Sequence, residues 1–256
     1  MNVRPLTTVG LLVLALPTLV LAQALLPAPQ EARGDLRELS VGLKAGELPT
    51  EAYFSFACGS DGGTPLNPLD DWTAFKQCNR DRATGLYEVY YEYDDEGEYL
   101  ARMLADVYGE YGRLGLRKYY GTKVAGHPVV LSVLFDDDGT AQAIRVVTDQ
   151  RAEVDFRRNA YLLRLPVMST FGNEGWTCEN SPLAPGETPL GQFFVKMRCE
   201  KVVVNGRRMI VEAHMFRKPG QNGYDRAGEP LDGEFHSLGR WEIWNPAYTP
   251  AGAPTR

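Results

Sequence analysis

HPVVLSVLFDDDGTAQAIRVVT, residues 127–148, is the stretch that decides the fold. Residues 127–135 form a β-branched, apolar run with apolar side chains at alternating and intervening positions, which predicts a strand buried on both faces. Asp136-Asp137-Asp138-Gly139 breaks the run with turn residues, and Gly139 can take positive φ at no steric cost. Thr140 to Thr148 then returns as a second strand. Asp149 follows as a cap for a helix over Arg151–Leu165, with Val154, Tyr161, Leu162 and Leu165 as its apolar stripe.

Upstream, Leu86 to Tyr93 alternates. Tyr87, Val89, Tyr91 and Tyr93 share one face, expected buried, and Glu88, Tyr90 and Glu92 share the other, expected wet. Asp95 and Glu98 match a helix-starting capping box, ahead of Leu100, Met103, Leu104, Val107, Tyr111 and Leu114 at helical spacing. Tyr53 to Cys58 reads as a further strand, and Trp72 to Cys78 as a short helical turn with Trp72 and Phe75 on one side. Downstream, residues 193–199, 200–204 and 208–216 are strand candidates, with the Asn205-Gly206 hairpin signal between the last two, and Phe235 to Trp244 closes the series. The chain is therefore expected to be α+β: an antiparallel sheet, or sheets, with two main helices packed on one face and a β-rich C-terminal third. The globular domain is placed at 51–245, with room for a division near residue 170. Residues 25–50 are expected as a linker or surface arm and 246–256 as a disordered tail.

The N-terminus is an address. Arg4 precedes an apolar run from Val9 to Ala22, and Ala22-Gln23-Ala24 offers small residues where a signal peptidase inspects the chain. The run falls short of the roughly 20 apolar residues that a spanning helix needs. Residues 1–24 are read as a signal peptide and the mature protein as periplasmic or secreted, with no transmembrane span after removal. Losing Arg4 moves the formal net charge from −6 to −7. Nucleic acid is an unfavourable partner for such a chain, because phosphate binding is driven by Lys and Arg.

Four cysteines in an exported chain favour disulfides. The local pairs Cys58–Cys78 and Cys178–Cys199 are preferred over the other two connectivities, because each closes a loop rich in Gly, Pro and Asn.

Candidate chemistry is sparse. The acidic turn at 136–139 fails the calcium-loop pattern, which would place Leu134 and Arg145 at ligand positions. Two Glu-x-His pairs, Glu212/His214 and Glu234/His236, could each put a carboxylate and an imidazole on one strand face. Together they are the candidate metal ligands, set against the ordinary reading of polar residues on a wet strand face, which is preferred; no metal or cofactor is assigned. Tyr87, Tyr90, Tyr91, Tyr93, Tyr119, Tyr120, Trp241 and Trp244 offer a stacking surface for a sugar or peptide. No nucleophile motif and no phosphate-binding glycine loop occurs. The expectation is a non-enzymatic exported protein of the cell envelope that binds a protein, peptide or glycan. The alternative is a hydrolase acting on cell-wall or polysaccharide material through paired carboxylates. Intact mass of the native exported protein is expected to correspond to a chain starting at Leu25. A mass that includes residues 1–24 would overturn the signal assignment.

Overall fold

The computed structural model describes residues 39–51, 53–93, 122–221, 226–227 and 235–248. The expected signal peptide, the helix expected after Asp95, Tyr119 and Tyr120, Glu234 and residues 249–256 lie outside them. Ten strands form one antiparallel sheet: β1 Phe54–Cys58, β2 Leu66–Pro68, β3 Tyr87–Glu92, β4 Thr122–Val124, β5 His127–Phe135, β6 Ala141–Thr148, β7 Thr177–Asn180, β8 Val195–Val202, β9 Arg208–Phe216 and β10 His236–Trp244. Their order is β2-β1-β3-β5-β6-β10-β9-β8-β7, with β4 pairing the start of β5 where β3 ends. Strands from both sides of residue 170 share this sheet.

The β5–β6 hairpin sits at the centre as expected, and all of β6 is buried. Its turn is closed by the Asp136 side chain. Asp136 Oδ1 accepts from the N–H groups of Asp138 and Thr140, both at 2.9 Å, and Oδ2 accepts from Gln142 Nε2 at 2.6 Å. The two strand candidates at 193–199 and 200–204 are one strand, β8. Asn205 and Gly206, both at positive φ, turn the chain into β9.

One face of the sheet carries the main core. Tyr53, Phe56, Trp72, Phe75, Tyr91 and Phe135 pack edge to face and tilted over β1, β3 and β5. Leu39, Ala45 and Leu48, from the described part of the expected surface arm, join them, while most of their neighbours stay exposed or half-buried. Trp72 opens a 3₁₀ turn through Gln77, capped by Asp71, whose Oδ1 accepts from Thr73 N. The Cys58–Cys78 disulfide ties this turn to β1, with Cα atoms 5.2 Å apart.

Further along the same face lies the helical segment, in three short pieces rather than one helix. These are α1 Val154–Arg158, a 3₁₀ turn over Ala160–Leu163 and α2 Arg164–Thr170. The tighter turn shifts the helical phase. Leu163 and Val167 face the core in place of the expected stripe, and Leu165 is exposed. Gly239 makes this packing feasible, because a Cβ there would lie 2.4 Å from the Ala160 carbonyl oxygen.

The opposite face also departs from the alternation rule. Glu88 and Tyr90, expected wet, are buried. Loops 59–64 and 79–86 cover the β3–β6 half of this face. Tyr248, in the expected tail, stacks on Trp244 at 5.6 Å between centroids and donates its hydroxyl to the Thr84 carbonyl at 2.9 Å. Tyr90, Tyr91, Tyr93, Trp241 and Trp244 are buried and Tyr87 is half-buried, so these members of the expected aromatic stacking surface serve as packing.

Leu131→Asp is expected to prevent folding, because an unpaired charge on the central strand exceeds a stability margin of about 5–15 kcal/mol. Asp137→Asn removes only an exposed ion pair with Arg80 and should leave the melting temperature nearly unchanged. Circular dichroism and thermal melting of the two variants check both.

Candidate functional site

Charge on the covered face is organised around Arg145, whose side chain is 1% exposed. It stands on β6 directly opposite Ser132 of β5 and Glu242 of β10. Its Nε donates to Glu242 Oε1 at 2.7 Å, and its Nη1 donates to Asp81 Oδ2 at 2.7 Å. The same nitrogen lies 2.9 Å from Asp61 Oδ1 and 3.4 Å from Glu88 Oε2. The loop bearing Asp61 approaches closely because Gly62, at φ +82°, has no Cβ to strike Val147. Burial pushes the Asp81 and Glu242 carboxyls up, but Arg145 outweighs it and holds both below the usual carboxylate range. Burial likewise pushes Arg145 down, and the surrounding carboxylates reverse that.

From Arg145 the charges alternate toward the far edge of the sheet. Arg240 contacts Asp61 at 2.8 Å, Glu242 at 3.5 Å and Glu212 at 3.9 Å. Glu212 faces Arg198 across the β9–β8 pair and ion-pairs with it, and Arg198 reaches Glu200 at 2.9 Å. Burial falls along this row: Glu242 is buried, whereas Glu212, Arg198 and Glu200 are half-buried.

The expected metal candidates separate. Glu212 is committed to Arg198 and Arg240. His214 and His236 come together at one end of β9 and β10, with His214 Nδ1 3.4 Å from His236 Nε2. The Phe216 ring packs beside both imidazoles. Burial pushes both histidines down; Lys218 adds to this at His236, which falls to about 4. No group of three His, Cys, Asp or Glu side chains suited to a metal occurs among the described residues.

Among the described residues the sheet ends at β7, and all four of its residues are exposed. Its pairing with β8 aligns Cys178 with Cys199, and the disulfide crosses between them with Cα atoms 4.0 Å apart. Ser181 N donates to the Lys196 carbonyl at 2.8 Å. Hydrogen-bonded pairs alternate along an antiparallel ladder. Cys178 and Asn180 are therefore the residues whose backbone N–H and C=O point away from β8, toward the open edge. Beside this edge runs an open groove of about 490 Å³, lined by Arg164, Asn180, Ser181, Phe194, Lys196 and Met197 among others. Phe193 and Phe194 next to it are 49% and 43% exposed.

Sequence reasoning missed the Arg145 cluster and the β7 edge. The first had a signal: Arg145 in AQAIRVVT and Glu242 in WEIW are single charges inside apolar strands, a pattern that implies a buried partner. The second had none, since strand order is not written in any one segment. In comparisons with known proteins, no family model, no curated protein and no solved structure matches this chain.

Arg145→Met would leave Asp81 and Glu88 buried without their cation, and Glu242 with Arg240 alone, destabilising the fold at pH 7 by about 3–5 kcal/mol. In the wild type, Asp81 and Glu242 sit below their unfolded values, so their contribution is present at neutral pH and lost as pH falls through the folded values. In the variant, backbone N–H groups at Asp81, and Arg240 and Trp244 at Glu242, still oppose burial, but the largest stabilisation of both carboxylates is gone, so the variant loses less stability on acidification than the wild type. Urea midpoints at pH 7 and pH 4 should show the gap between the two proteins narrowing at pH 4.

Proposed function

We propose that this is an exported, non-enzymatic binding protein, which takes an extended peptide or protein segment as an added strand along β7. The observation that carries this reading is the open edge itself. Cys178 and Asn180 present main-chain donors and acceptors outward, and the adjoining groove supplies apolar walls with Arg164 and Lys196 at its rim. Strand addition draws affinity from such an edge and specificity from flanking side-chain pockets. Edge strands of this kind are otherwise covered or blunted. Arg164 favours a segment with an acidic side chain or a terminal carboxylate, since Lys196 is already paired with Glu187.

Two disulfides fit an oxidising compartment, and no helix among the described residues is long and apolar enough to cross a membrane. Both support the export reading, with a cell-envelope partner.

The hydrolase alternative draws less support. A paired-carboxylate mechanism needs one carboxyl that keeps its proton near neutral pH. Asp81 and Glu242 are held the other way by Arg145.

Asn180→Pro provides the test. The N–H it deletes points away from β8, so the ladder and the melting temperature should be kept. Cross-linked capture of an envelope partner should fall at least tenfold relative to wild type, and Phe194→Ala should weaken it in the same direction. Capture that is equal in wild type and Asn180→Pro would rule out the β7 edge.

A further inference from the structure

The two histidines at the end of β9 and β10 form an arrangement that neither the charge row nor the β7 edge uses. His214 faces Leu238, and His236 faces Phe216, so the imidazoles meet diagonally across the β9–β10 pair, on the half-open face. Their facing nitrogens, His214 Nδ1 and His236 Nε2, are 3.4 Å apart. That spacing is longer than the roughly 2.7–3.2 Å of an ordinary N–H···O hydrogen bond, so any bond between the rings is weak. Zinc bound to imidazole nitrogen at about 2.0–2.1 Å in tetrahedral geometry sets neighbouring ligand nitrogens about 3.3–3.4 Å apart.

We propose that His214 and His236 together bind one divalent transition-metal ion of the zinc, nickel and copper class, with water completing its coordination. Neutral imidazoles are what such ions take, and they are poor ligands for calcium or magnesium. Both rings are half-buried, which leaves their facing nitrogens reachable from solvent while the walls of the site hold the rings in place.

Lys196, Lys218 and Arg240 oppose positive charge at the pair, and Glu187 and Glu212 offset them in part. Lys196 donates to Glu187 Oε2 at 2.7 Å. Arg240 is held by Asp61, Glu212 and Glu242. Lys218 is exposed, where solvent screens it. The Phe216 ring walls one side of both imidazoles, at 5.8 Å from His214 and 5.1 Å from His236 between ring centroids, and limits their rotation. Two ligands rather than four imply a reversible, modest-affinity site that leaves coordination positions open. Such a site could hold the ion for exchange or for a ligand from a partner. The inference is independent of strand addition at β7.

The chain has three histidines, so His127, on the start of β5, serves as an internal control. Zinc alone is titrated calorimetrically into the full chain, prepared without a polyhistidine tag, at pH 7.5. In parallel, imidazole resonances are followed by NMR, and circular dichroism reports folding. Wild type and His127→Gln are expected to bind one equivalent, with the resonances of His214 and His236 shifting and that of His127 unmoved. His214→Gln and His236→Gln should each weaken binding at least tenfold while keeping the wild-type circular dichroism spectrum. The proposal fails if wild type takes up no stoichiometric zinc, or if zinc shifts neither resonance. It also fails if folded His214→Gln and His236→Gln both bind like wild type. The NMR result in wild type decides the matter even if a variant does not fold.

Discussion

The burial of one positive charge organises this protein. Arg145 stands in the centre of the sheet, and removing a guanidinium from water is unfavourable by several kcal/mol unless its donors are satisfied. Satisfying them recruits Glu242 from the neighbouring strand, Glu88 from two strands away, and Asp81 and Asp61 from two loops. Those loops must close over the face for the charge to be buried at all. The covered half of the sheet and the path of residues 59–64 and 79–86 follow from that single requirement. Trp244 joins in by donating its indole N–H to Glu242 Oε2 at 2.9 Å, which links the ionic cluster to the packing around Tyr248.

The other face obeys a different constraint. There the sheet is sealed by aromatic side chains and short helical turns instead of charges. The 3₁₀ turn from Trp72 is anchored at both ends, by its Asp71 cap and by the Cys58–Cys78 bridge. The Ala160–Leu163 turn is pressed against β10 where Gly239 leaves room for it. Both faces of β5 and β6 are thereby removed from water over most of their length, and their polar residues are confined to His127, Ser132, Gln142, Arg145 and Thr148.

Cover on the charged face thins toward β8 and β7. Across that gradient the ionic row changes from buried to half-buried, the histidine pair comes within reach of solvent, and the last strand is left with an open edge. A cross-strand disulfide holds that edge strand to the sheet, so an incoming segment meets a pinned surface. Features able to meet a partner or an ion thus gather at one end of the sheet, while the opposite end supplies the core.

Local features were legible from the residues themselves. The β5–β6 hairpin, the alternating strand at 87–92, the Trp72 turn, the Asn205-Gly206 reversal and both disulfides follow from periodicity, turn chemistry and cysteine spacing, which act over a few residues. Glu88 and Tyr90 were misread as wet because alternation reports only that two faces differ, not whether a distant loop covers the second. The helical phase after Val154 was misread because a 3₁₀ turn advances side chains by a different angle, and no single residue announces it. His214 and His236 were singled out by sequence, each beside a carboxylate. Only the antiparallel register of β9 on β10 could bring the two imidazoles together and assign Glu212 to Arg198. Strand order placed β7 at the edge and Arg145 at the centre. It depends on contacts between residues far apart in the chain, and so the tertiary structure alone decided which charges are buried and which backbone is left open.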